Sequence, residues 1–114
     1  MLLTKKFEFD AAHRLNEDLG VKENRLHGHR YVLEITVKGP VKDGIIMSVA
    51  DIKRHVQKDI LDKLDHTMLN DIIDNPTLEN VAIWIWKELR DRLPLLYEIK
   101  LSETPNNFVT YRGD

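Results

Sequence analysis

Two alternating stretches frame this chain. From Leu3 to His13 the odd positions carry Leu3, Phe7, Phe9, Ala11 and His13, with Thr4, Lys6, Glu8 and Asp10 between them. From 29 to 38 the pattern returns: Tyr31, Leu33, Ile35 and Val37 keep phase with His29, while Arg30, Glu34, Thr36 and Lys38 take the other side. Side chains two apart on a strand point to one face, so each stretch predicts a half-buried β-strand. His13 closes the first apolar face, and His27 and His29 open the second. A fold that buries both faces brings three imidazoles to one side of a sheet.

The remaining pattern is helical, then extended again. Ser48 ahead of Asp51 predicts a helix N-cap, and Val49, Ile52, Val56, Ile60 and Leu64 recur at three- and four-residue spacing as one buried stripe. A second helix is expected after Asn75-Pro76-Thr77, capped by Thr77 and presenting Leu78, Val81, Ile85, Leu89 and Leu93, with Pro94 as its stop. Tyr97, Ile99, Leu101 and Glu103 alternate once more, and a short strand runs from Phe108 to Tyr111. The order ββααββ predicts an α+β domain over 1–114, a four-stranded antiparallel sheet with both helices on one face. Two open sheet edges in so small a domain point to pairing between subunits.

Composition narrows the function. A chain of 114 residues has room for one core, and a net charge of −2 gives no electrostatic reason to expect nucleic acid or a membrane as partner. No apolar run approaches the roughly 20 residues that span a bilayer. The first residues lead into a charged alternating strand and not an apolar signal segment, so a cytoplasmic enzyme is expected. There is no cysteine, which removes disulfides, thiolate ligands and thiol nucleophiles together. The single glutamine, Gln57, and the high charge lean towards a heat-adapted composition.

Any metal must therefore be held by nitrogen and oxygen. A lone histidine on an apolar face is ordinarily satisfied by hydrogen bonds; three in one phase, two at strand spacing, point instead to a zinc site with an open fourth position. Gly28 between two of them would let backbone approach closely. Asp65-His66 ends the first helix, where a carboxylate can fix the tautomer of an imidazole. Glu103, in phase with Ile99 and Leu101, is either an ion-pair member or a ligand anchor, because a buried carboxylate needs a partner. Thr77 and Glu79 read equally as a cap and a first-turn acid. Glu23 reads as a solvated loop charge, and Trp84 and Trp86 as packing or subunit interface. Arg14, Lys22, Arg25 and Arg30 are either a solvated basic rim or an attraction for a phosphorylated substrate.

Taken together, Phe9-Asp10-Ala11-Ala12-His13, Leu26-His27-Gly28-His29, Leu64-Asp65-His66 with Leu69-Asn70-Asp71, Asn75-Pro76-Thr77-Leu78-Glu79-Asn80, and Glu103-Thr104 resemble the 6-pyruvoyl-tetrahydropterin synthase and 6-carboxy-tetrahydropterin synthase family. The terminal Tyr111-Arg112-Gly113 is similar to the carboxy-type members. The resemblance implies a tunnelling fold whose subunits form trimers that close a barrel, commonly stacked into hexamers with active sites at subunit interfaces. It implies zinc held by His13, His27 and His29, a pterin ring anchored by Glu103 with Thr77 and Glu79 in its pocket, and a catalytic Asp65-His66 pair.

Two departures from the family pattern stand out. Ser48 takes the place of a usual aspartate, and Glu23 falls where the catalytic cysteine belongs. Glutamate there resembles a subgroup that cleaves the pterin side chain to 6-hydroxymethyl-7,8-dihydropterin. A zinc-dependent retro-aldol lyase acting on dihydroneopterin triphosphate or a related phosphate is therefore expected, with Glu23 or His66 as base. The alternatives are the pyruvoyl- or carboxy-type synthase reaction, a zinc- and pterin-binding barrel without catalysis, and a purely structural zinc protein.

Overall fold

The computed structural model describes residues 1–15 and 25–114; Lys22 and Glu23 lie outside the described residues. Both alternating stretches form long strands, β1 (Leu2–His13) and β2 (His27–Lys38). They pair antiparallel along their whole length, with Ala11 opposite His29 and His13 opposite His27. Strand β4 (Leu96–Thr104) pairs with the other edge of β2, and β5 (Asn107–Tyr111) with β4. The expected four antiparallel strands gain a fifth. A two-residue strand, β3 (Thr67–Met68), runs parallel to β1 at Ala11 and Ala12, giving the order β3-β1-β2-β4-β5. It forms because the chain leaving the first helix comes back against β1, where His66 N–H donates to Asp10 C=O at 2.6 Å.

The alternation sets the packing. Phe7, Phe9, Ala11 and His13 of β1, Tyr31, Leu33, Ile35 and Val37 of β2, and Ile99 and Leu101 of β4 are buried on one face. The helices cover that face with Ile52, Val56, Ile60 and Leu64 from the first, and Leu78, Val81, Ile85 and Leu89 from α3 (Leu78–Leu89). Val49, expected in the first stripe, is exposed, and Ser48 holds the N-cap position without a side-chain cap bond. Its carbonyl starts the helix by accepting Asp51 N–H and Ile52 N–H. Thr77 does cap as expected, accepting Asn80 N–H at 3.1 Å.

The first helix departs from its expected period. It begins as α1 (Val49–Val56), widens to a π-helical turn over Gln57–Leu61 and ends as α2 (Asp62–Leu64). The wider turn lets the neighbours Ile60 and Leu61 both face inward, and Leu64 follows them. No helix among the described residues is long and apolar enough to cross a membrane.

Among the described residues the opposite sheet face carries no helix, and it is charged. Arg30 lies 3.2 Å from Asp10 and 3.3 Å from Glu8, Lys100 lies 3.6 Å from Glu34, and Arg112 lies 3.0 Å from Glu98. Beyond β5, the chain folds over α3, with Tyr111 edge-on to Trp86 and Gly113 against the indole. Gly113 (φ +83°) and Gly44 (φ +86°) share a left-handed backbone, yet a Cβ on Gly113 would lie 2.7 Å from Trp86 while one on Gly44 meets nothing within 4 Å. Both alanine substitutions should lose about 1–2 kcal/mol to backbone strain. Gly113→Ala should lose more because the indole must move, so its denaturation midpoint should fall below that of Gly44→Ala; equal midpoints would show that the contact has no weight.

Candidate metal centre and the surrounding clefts

The register of β1 and β2 puts His13 and His27 side by side and His29 one step along. The three rings meet edge to face, with centroids 4.5, 5.1 and 4.9 Å apart, and one nitrogen from each lies within 4.8 Å of the others. His13 is fully buried.

The hydrogen-bond partners of the rings fix where their protons sit. His13 Nδ1 is 2.8 Å from Pro76 C=O and His27 Nδ1 is 2.7 Å from Arg25 C=O. A carbonyl only accepts, so each Nδ1 carries the hydrogen. In a neutral ring the Nε2 atom then holds a lone pair, and these two Nε2 atoms face each other at 3.0 Å. Lone pairs so placed call for a cation between them, either a proton or a metal ion. Burial pushes His13 down as a base, with the neighbouring His27 adding to the effect and the Pro76 carbonyl and Glu103 opposing it. Burial likewise lowers His29, against the pull of Glu103. Burial thus works against a proton on His13, and the donor set fits zinc. Two nitrogens about 2.0 Å from one tetrahedral zinc sit roughly 3.3 Å apart, close to the spacing present.

The histidines line a cleft of about 310 Å³ with Leu15, Glu103, Thr104 and Asn107. Glu103 Oε2 approaches His29 Nε2 to 3.9 Å, too far for a hydrogen bond, which leaves the carboxylate lining the cleft and not locked to the ring. Tyr31 is buried beneath, its hydroxyl 3.4 Å from His13 Nδ1, and burial raises its pKa so that the phenol stays protonated.

His66 lines a second cleft of about 550 Å³ with Asp10, Ala12, Gly28, His29 and Arg30, and Asp65 stands behind it; His29 borders both clefts. Asp65 Oδ1 accepts Asp10 N–H at 2.9 Å, and Oδ2 lies 3.1 Å from His66 Nδ1. The Asp10 amide is the main cause holding the Asp65 carboxyl below its usual range. The carboxylate therefore fixes Nδ1–H on His66 and turns Nε2 outward as a proton acceptor. His66 adopts φ 59°, a left-handed conformation uncommon for such a side chain. Asp10, Asp65 and His66 also cluster closely enough for a metal, but Arg30 already neutralises Asp10 at 3.2 Å.

Other expectations fare differently. A Cβ on Gly28 would meet only Ala11 C=O, at 3.6 Å, so the close approach expected of Gly28 is not required within the subunit; its missing side chain opens the second cleft instead. Arg30 faces the charged sheet face, paired, and not the histidine cleft. The Thr77 hydroxyl caps α3, and Glu79 lines a separate groove with Ala82, Val109 and Tyr111. The carbonyls of Pro76 and Arg25 went unforeseen, because a backbone acceptor leaves no mark in sequence. Asn70, which bonds both Arg14 N–H and Arg14 C=O where β1 ends, was visible only as part of a motif.

Fold and site thus define an α+β subunit whose leading strand pair carries a three-histidine, cysteine-free metal-type centre. The model of the 6-pyruvoyl tetrahydropterin synthase family matches residues 2–114, and the chain belongs to that family. It is 40% identical to the 6-pyruvoyl tetrahydrobiopterin synthase of Dictyostelium discoideum, covering all of this chain and 97% of that protein. It is 42% identical over 86 residues to the dihydroneopterin monophosphate aldolase of Pyrococcus furiosus, covering 75% of this chain and 72% of that protein. Among solved structures, the 6-pyruvoyl tetrahydropterin synthase of Caenorhabditis elegans superimposes with a TM-score of 0.87 at 30% identity, covering 100% of this chain and 96% of that one. The tunnelling fold expected from the motifs is the fold of the chain.

Proposed function

We propose that this protein is a zinc-dependent lyase that cleaves the side chain of a 7,8-dihydroneopterin phosphate to give 6-hydroxymethyl-7,8-dihydropterin. The observation that carries the reading is a cysteine-free chain built around the three-histidine centre. Without a thiol, the proton transfers at side-chain carbon that the family's cysteine serves have no obvious agent. The likeness to a protein named an aldolase supports the same choice.

His13, His27 and His29 would hold the zinc, which when bound would make the vicinal side-chain hydroxyls more acidic. Glu23 or His66 takes the C2′ hydroxyl proton; a carboxylate suits this transfer because the required basicity is modest. The C1′–C2′ bond then breaks. C2′ leaves as the aldehyde of a glycolaldehyde phosphate, and the electron pair at C1′ spreads into the C5–C6 imine region until a proton returns to C1′. Glu103, lining the histidine cleft, anchors the pterin ring. Asp65 orients His66.

Thr77 and Glu79 complete the pterin pocket only with a second subunit, since neither lines the histidine cleft. A trimer or hexamer with sites at subunit boundaries is the assembly proposed, in the cytoplasm. Its support within the chain is the outer edge of β1, which among the described residues pairs with β3 only at Ala11 and Ala12.

A second reading, 6-pyruvoyl tetrahydropterin synthesis, is favoured by full-length likeness to proteins named for that reaction. Product identity separates the two. Zinc-loaded protein incubated with dihydroneopterin triphosphate or monophosphate should yield 6-hydroxymethyl-7,8-dihydropterin by mass spectrometry. A pyruvoyl or carboxy pterin would establish the synthase reading, and no new pterin would leave a binding barrel without catalysis.

A further inference from the structure

The Asn75-to-Asn80 motif enters the functional reading through Thr77 and Glu79, yet the contact it makes with the metal centre runs through Pro76. Its carbonyl accepts His13 Nδ1–H at 2.8 Å. That carbonyl sits on a tight turn closed at Asn75, whose own carbonyl accepts Thr77 N–H at 2.7 Å and Asn80 Nδ2–H at 2.9 Å. Asn75 has φ 45°, a left-handed conformation, and the residue before a proline is further restricted. Such a conformation persists only where its surroundings over-determine it. Asn80 supplies two of the ties: its side chain holds the Asn75 carbonyl and its backbone N–H binds the Thr77 hydroxyl at 3.1 Å.

We propose that Asn80 is a positioning residue for the metal centre: by closing the Asn75 turn it holds the Pro76 carbonyl against His13 and so keeps His13 Nε2 as the ligand atom. Groups that orient a metal-bound histidine are typically worth 10–100-fold in affinity. The inference rests on the metal reading of the three histidines, and Asn80 acts on them through the Asn75 carbonyl that its side chain holds.

Asn80→Asp keeps the shape of the side chain but sets an acceptor against the Asn75 carbonyl; Asn80→Ala removes the group and leaves the Thr77 cap, which needs only the backbone N–H. Zinc affinity, read by competition with a chromophoric chelator, should fall about 10–100-fold in both variants. Nitrogen NMR of the zinc-free protein should show His13 as a single Nδ1–H tautomer in the wild type and a mixture in the variants, a signal that general loosening does not produce. Gly44→Ala, destabilised far from the turn, should keep wild-type affinity. Wild-type affinity in Asn80→Asp, or an equal loss in Gly44→Ala, would overturn the proposal. A wild-type protein that takes up no zinc would overturn the metal reading and the proposal with it.

Discussion

His27→Ala should lose zinc and with it turnover, by on the order of 10³-fold or more. His27 gives one of the two Nε2 atoms that face each other at 3.0 Å, so its removal leaves His13 with half of the strongest ligand pair. Zinc held there would supply several kcal/mol of charge stabilisation to the reaction, and each 1.36 kcal/mol is tenfold in rate. The loss also has a thermal signature. An ion at 100 times its dissociation constant stabilises the folded state by about 2.7 kcal/mol, which for a domain near 100 residues is roughly 10–20 °C in melting temperature. Wild-type protein should therefore melt well above its chelated form, while His27→Ala should melt at one temperature with or without zinc. His27 is only partly buried, so the substitution opens little of the core. A zinc-dependent rise in the variant equal to that of the wild type would show that the histidines do not hold the ion.

Glu23→Gln should keep zinc and pterin binding but lower turnover about 10²–10⁴-fold, the range a positioned general base contributes. The amide matches the carboxylate in size and takes no proton, so the loss should fall on kcat and leave KM near its original value. His66→Ala tests the competing assignment by the same split. If Glu23→Gln turns over like the wild type, the base is His66 and the cysteine position has no catalytic group in this protein.

The elements of the fold were legible because their periods are clear: the apolar odd positions from Phe7 in β1 and Tyr31 in β2 are buried, with Thr36 the even position that joins them, and the stripe of α3 is the one its spacing predicts. The π-helical turn was not, since the spacing of Val56, Ile60 and Leu64 is also that of an ordinary helix. Strand β3 is two residues long and exists through its neighbour, so no local pattern announces it. Within the site, strand phase and spacing brought the three histidines together, and Asp65 beside His66 was visible as a pair. What escaped were contacts made by backbone: the Pro76 carbonyl, the Arg25 carbonyl and the two Asp10 groups that grip Asp65 and His66. Any residue can offer those atoms, so only three-dimensional placement reveals them.

The ladder between β1 and β2 has a further consequence. Sliding one strand by a single residue would turn its apolar set to the wrong face, an error that burial alone rejects. Sliding it by two restores the faces, and hydrophobic packing tells the two pairings apart far less sharply. Such a slip would carry His13 roughly 7 Å along from His27, although the correct register sets them opposite each other. An ion that needs all three imidazoles accepts one alignment and refuses its near twin. Zinc bound as proposed would then proofread the folding of the strands that build its site, and zinc supplied during refolding should raise the yield of correctly paired protein.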